Sequence, residues 1–117
     1  MTDSATSTTG KIVWFELPAG DSERARSFYG QLFGWQYEQF GGQDYYTASE
    51  AGGAIFGSPG LTGPVVYFGV DDLDAAIARV QELGGDAGEK QEIPGVGHYA
   101  HCTDTEGNRI GLYTGAV

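Results

Sequence analysis

An acid in the middle of an apolar run is the first residue that invites chemistry. Glu16 stands inside VWFEL at residues 13–17, where an unpartnered buried carboxylate is costly and its pKa tends to rise. A residue so placed suits a general base or a hydrogen-bond acceptor for a ligand. Two structural readings stand beside that one: a salt bridge to a basic residue such as Arg109, or an outward position if the register differs by one residue. His101 is the second candidate, since imidazole exchanges protons near neutral pH; a hydrogen-bonded wall residue is its structural alternative. The other histidine, His98, lies at an odd spacing from it, which on a strand sends the two rings to opposite faces and prevents a shared metal ion. Glu16 and His101 with one further donor make an incomplete ligand set, so no metal centre is expected. Cys102 falls on the His98 face and reads as a small buried hydrophobe rather than a nucleophile. The acidic run Asp71, Asp72 and Asp74 fits a helix N-terminus, where negative charge offsets the helix dipole, and lacks the ligand pattern of a calcium loop.

Strands and helices must position these residues, and the chain repeats itself in supplying them. Residues 13–34, VWFELPAGDSERARSFYGQLFG, and residues 65–84, VVYFGVDDLDAAIARVQELG, each open with an apolar strand. Each then turns through aspartate into a helix that ends at Gly34 or Gly84. Ala25, Phe28, Tyr29 and Leu32 recur at helical spacing, as do Leu73, Ala76, Ile77 and Val80, predicting one apolar stripe per helix. Asp21 or Ser22 is a fitting N-cap for the first and Asp71 or Asp72 for the second, and the two glycines suit a left-handed helix end. Strand-like pieces follow at 35–40, 44–49 and 53–57, then at 87–92, 98–103 and 108–114, the last two joined by the turn Asp104-Thr105-Glu106-Gly107. Residues 58–64 form a hinge. The sum is one α+β domain over 11–117, built of two tandem βαβββ modules at about 11–57 and 64–115 behind a disordered tail at 1–10. Alternation then groups Trp14 with Glu16, Val65 with Tyr67, Tyr99 with His101, and Arg109 and Gly111 with Tyr113.

Composition narrows the partners. The 117 residues suffice for one core and not two, since a chain this long exposes roughly 6,000 Å² when folded against about 18,000 Å² when open. Sixteen acids against six bases give a net charge of −10. A surface of that sign repels phosphate backbones and anionic lipid heads, so nucleic acid and membranes are not expected partners. One cysteine cannot form an internal disulfide or a multi-thiolate metal site. The opening MTDSATSTTG has neither the basic start nor the apolar stretch of a secretion signal, and the chain reads as cytoplasmic.

The segments FELPAGDSERARSFYGQLFGW, YFGVDDLDAAIARVQELGG and TDTEGNRIGLY, in that order and spacing, resemble the vicinal oxygen chelate superfamily. That group includes glyoxalase I, extradiol dioxygenases, methylmalonyl-CoA epimerase, and the fosfomycin and bleomycin resistance proteins. The resemblance covers residues 11–115 and implies that the two modules form a curved, half-barrel mixed sheet around an open cleft. It also implies metal-ligand positions, a His on the first strand of each module and a Glu or other donor on each last strand. Here those positions fall on Trp14, Val65, Gly111 and the run GAIFG at 53–57. Indole, isopropyl and hydrogen offer no lone pair to a divalent ion, so the implied cleft is metal-free and no cofactor is expected.

Within that cleft the resemblance makes Glu16 and His101 candidate acid–base residues. Trp14, Tyr67, Tyr99, Arg109 and Tyr113 become ligand-binding walls, with Gly111 supplying room. Tyr45, Tyr46 and Phe56 close the first module's side according to strand pairing that the sequence leaves open. The leading expectation is a small-molecule binding protein of the glyoxalase and bleomycin resistance type. The alternative is a metal-independent lyase or isomerase using Glu16 and His101, which would need Arg109 or backbone N–H groups to stabilise an oxyanion. A third is a module whose sheet pairs with another chain. The expected partners are a small-molecule ligand and a second copy in a homodimer.

Overall fold

Each helix begins where an aspartate side chain accepts a hydrogen bond from backbone that the first turn leaves unpaired. In the computed structural model, which describes residues 8–60 and 63–115, Asp21 accepts from Arg24 N at 3.0 Å to open α1 (Ser22–Phe33). Asp72 accepts from Ala75 N at 3.0 Å to open α2 (Leu73–Glu82). Gly34 closes α1 at φ 79°, a left-handed conformation that costs glycine little.

The chain divides into two compact units, Trp14–Val65, and Val66 onward with the residues before Trp14. The first holds most of β1 (Ile12–Ala19), then α1, β2 (Glu38–Gln39), β3 (Tyr45–Ala48) and β4 (Gly53–Gly57). In it β1 runs parallel to β4, β3 antiparallel to β4, and β2 antiparallel to β3. The second continues from β5 (Val65–Gly69) through α2, β6 (Asp86–Ala87), β7 (Gln91–Ile93), β8 (Gly97–Thr103) and β9 (Arg109–Gly115). There β5 is parallel to β9, β8 antiparallel to β9, and β6 and β7 both antiparallel to β8. The repeat read from the sequence is thus a repeat of strand pairing. Two strand expectations shorten: the 35–40 piece pairs only over Glu38–Gln39, and the 87–92 piece splits into β6 and β7.

Residues 8–10, expected in a free tail, are instead tied down. Thr9 bridges Gly69, and Gly10 N donates to Gly69 O at 3.0 Å, which satisfies backbone polar groups at the end of β5. Positions 1–7 of that expected tail and 61–62 of the hinge lie outside the described residues.

The α2 stripe packs as its spacing predicts: Leu73 is buried with Ala100, Cys102 and Leu112, and Ala76, Ile77 and Val80 close over them. Burial pushes the Cys102 thiol above its ordinary pKa, as for an inert core cysteine. The α1 stripe does not pack as spacing predicts. Phe28 is 60% and Leu32 59% exposed, while Ser22 is buried and Ala25, Arg26, Tyr29 and Gly30 are half-buried. Two aromatic contacts set that rotation. The Arg26 guanidinium lies 3.6 Å from the Tyr46 ring centroid, and Tyr29 stacks on Trp35 at 5.3 Å. No helix among the described residues is long and apolar enough to cross a membrane.

At the β8–β9 turn Asp104 accepts from the Asn108 side chain at 2.9 Å and from the Asn108 and Glu106 backbone N–H groups at 2.9 and 2.8 Å. The Asn108 side-chain bond leads the causes that hold its carboxyl below the ordinary range. A group lowered on folding stabilises above its unfolded pKa and loses that contribution as pH falls through the folded one. The urea-midpoint difference between wild type and Asp104→Ala is therefore expected to be largest at neutral pH. It should shrink progressively below about pH 4, and a constant difference across that range would contradict the assignment.

Candidate functional site

Pairing between strands decides which side chains share a face. On β1, Phe15 turns toward the helix side, where its ring meets Trp35 at 6.0 Å. Alternation then puts Trp14 and Glu16 on the opposite face. The registers Glu16↔Ala54, Tyr45↔Phe56 and Thr47↔Ala54 bring Tyr45, Thr47 and Phe56 onto that face as well. Tyr46, of the other parity, lies beneath Arg26 on the helix side.

Three of these residues form one hydrogen-bonded chain. The Trp14 indole Nε1–H donates to the Tyr45 hydroxyl at 2.8 Å, and that hydroxyl donates to Glu16 Oε2 at 2.7 Å. Both hydrogens run toward the carboxylate, which accepts at the end of the chain. Glu16 is half-buried, as are its neighbours along β1. Phe56 and Phe40 flank the Tyr45 ring at 6.1 and 6.0 Å.

The second unit repeats the layout with other chemistry. Ala100 and Cys102 face the core beside α2, so Tyr99 and His101 project from the opposite side of β8. His98 shares the Ala100 parity, on the face expected for it. The registers Tyr67↔Gly111, His101↔Gly111 and Tyr99↔Tyr113 complete the group. The Tyr67 hydroxyl lies 2.8 Å from His101 Nε2, with the donor set by the imidazole tautomer. Tyr99 meets the Tyr67 ring edge-on at 6.2 Å and the His101 ring at 5.3 Å. Tyr113 shares the face, but its hydroxyl donates to Val96 O at 2.9 Å. Arg109, expected as a wall residue, is exposed opposite Thr103 at the hairpin end of β9. A long charged side chain at a strand end gains more from solvation than from burial among aromatic rings.

The positions where the resemblance implies metal ligands do not fit a divalent ion. The Trp14 nitrogen carries its hydrogen into a bond with Tyr45, and an indole has no free lone pair. Gly111 has no side chain, and a Cβ there would fall on Cδ2 and Cε2 of Tyr67 and within 2.8 Å of its Cγ. Among the described residues, no three His, Cys, Asp or Glu side chains gather to hold a metal. Hydrogen bonding and aromatic contact are what this arrangement offers a ligand.

Tyr45 is the residue whose role the sequence left open. It stands 31 positions from Trp14, and only the pairing of β3 with β4 assigns its face. A strand-by-strand alternation of Tyr45, Thr47 and Phe56 was the available signal, and it needed the register to be read.

Comparison with known proteins agrees with this architecture. The bleomycin resistance protein-like N-terminal family matches residues 11–45. A glyoxylase-like domain-containing protein of Didymella fabae is 33% identical over 123 residues, covering 90% of this chain and 94% of that protein. The putative glyoxylase CFP32 of Mycobacterium tuberculosis is 32% identical over 111 residues, 85% of this chain. The chain spans only 42% of the length of that relative. A solved structure from Vibrio splendidus 12B01, a glyoxalase/bleomycin resistance protein/dioxygenase superfamily member, superposes with a TM-score of 0.67 at 18% identity, covering 91% of this chain and 99% of that one. At that identity the likeness concerns the fold.

Proposed function

Because the chain belongs to the glyoxalase and bleomycin resistance-like (vicinal oxygen chelate) superfamily, we propose that it binds a small organic molecule without a metal ion. The observation that carries this reading is the Trp14–Tyr45–Glu16 chain. A half-buried carboxylate is held by a tyrosine that an indole holds in turn, on the face away from the helix. Such an arrangement costs desolvation and adds little to the core, which is the pattern expected of a recognition element. In the other unit, taken by itself, Tyr67, Tyr99 and His101 offer an aromatic surface and a hydrogen-bonding pair of their own. Sites of this kind orient a mostly apolar ligand with a few fixed polar groups.

A thermal-shift screen of small carbonyl compounds and aromatic cations tests this. A ligand present at about 100 times its Kd adds ~2.7 kcal/mol, which raises the midpoint by roughly 10 °C in a domain of this size. Glu16→Gln is expected to remove most of that shift while leaving the unliganded midpoint within a few degrees. A hit whose shift is unchanged by Glu16→Gln takes Glu16 out of the site, and the absence of any hit across both compound classes counts against the reading.

We also propose a homodimer formed through the outer face of α1. An internal comparison supports it. Counted from the cap aspartates, Phe28 and Gln31 occupy the places held in α2 by Arg79 and Glu82, which form a solvated ion pair at 3.1 Å. Asp21, Glu23 and Arg24 line the same groove as Phe28 and Leu32, so a second copy can bury the two apolar side chains while Arg24 of each faces acids of the other. Transplanting the α2 pair as Phe28→Arg with Gln31→Glu is expected to convert a dimer to a folded monomer in sedimentation equilibrium. A wild-type protein that sediments as a monomer at high concentration refutes the proposal.

A further inference from the structure

We infer that Tyr67 and Gly111 are a matched pair that closes the last-strand ligand position of the second unit and reserves His101 for hydrogen bonding. Gly111 lies directly across from both Tyr67 and His101, so it is where a β9 side chain would reach the imidazole. The Tyr67 ring occupies that space. An added Cβ would collide with the ring at Cδ2 and Cε2, atoms of a rigid plane rather than a flexible tip. The ring has little room to yield, because Tyr67 is 6% exposed, Tyr99 abuts it edge-on, and its hydroxyl is engaged with His101 Nε2 at 2.8 Å. Only glycine fits at 111 while tyrosine stands at 67.

The repeat provides the control. In the first unit the residue across from Glu16 is Ala54, the counterpart of Gly111 in strand pairing, and there a Cβ is accommodated at 1% exposure. The aromatic ring at 67, and not the backbone of the fold, imposes glycine. The hydroxyl of the same ring engages Nε2 of His101. A β9 ligand side chain is thus excluded by volume, beyond the loss of a donor at that position. Tyr67 acts as a positioning residue for His101, and the 67/111 pair determines what this face admits.

A double-mutant cycle and a metal-retention measurement test the inference, and neither needs a ligand, so their failure is separate from failure of the small-molecule reading. Gly111→Ala is expected to lower the urea midpoint strongly in the wild-type background and by less than a third as much in Tyr67→Ala. Equal losses in the two backgrounds overturn the matched pair. If Tyr67→Ala does not fold, the second arm stands on the wild-type chain. Protein incubated with nickel(II) or zinc(II) and then dialysed is expected to retain no stoichiometric metal. Retention of about one ion per chain that His101→Gln abolishes overturns the inference.

Discussion

Replacing Ile55 by alanine is expected to lower the unfolding free energy by about 3 to 4 kcal/mol, the large-cavity range for a buried aliphatic side chain. Ile55 has 0% exposure on β4, between Leu17 of β1 and Tyr46 of β3. A sheet strand paired on both sides cannot collapse into the void, so the lost contacts are not recovered. The urea midpoint should fall by roughly 2 to 3 M with an unchanged slope. Phe28→Ala provides the contrast. Its side chain is larger, but it is already 60% exposed, and a loss under about 1 kcal/mol is expected. If, at concentrations where the chain is monomeric, Phe28→Ala proves as damaging as Ile55→Ala, the outward orientation of α1 is wrong.

Tyr45→Phe is expected to weaken ligand binding strongly. The substitution removes one oxygen and keeps the ring, so packing against Phe56 and Phe40 is retained. It deprives the Trp14 N–H of its acceptor and removes a donor from Glu16. Removing a hydrogen bond to a charged group costs about 1.5 to 3 kcal/mol. If the ligand depends on the position of Glu16, affinity falls about ten- to a hundred-fold. Titration of any hit from the thermal screen by calorimetry reads this directly. Tyr113→Phe is the matched control, because that hydroxyl is engaged with the Val96 carbonyl. Comparable losses from both tyrosines would show that the site responds to general loosening rather than to the chain ending at Glu16.

Glu16 and His101 were both legible as candidates, one as an acid in an apolar run and the other as a strand imidazole, and each has a tyrosine hydroxyl as partner. Neither tyrosine's role was legible to the same degree. Tyr67 stood out as aromatic wall, with nothing to indicate that it holds His101 and occupies the space over Gly111. Arg109 carried the right parity, and at the strand end it is exposed.

The amino-acid order by itself determined the repeat, the capped helices, the hairpin turn at Asp104 and the sorting of side chains within each strand. All of these follow from local periods and local hydrogen bonds, which involve neighbours a few positions apart. Tertiary structure alone decided the rotation of α1 that leaves Phe28 and Leu32 in solvent, the face taken by Tyr45, and the fit of Tyr67 over Gly111. The first depends on the contacts of Arg26 with Tyr46 and of Tyr29 with Trp35, and the other two on contacts joining residues 31 and 44 positions apart, where steric fit and cross-strand hydrogen bonding choose among pairings that local preference leaves open.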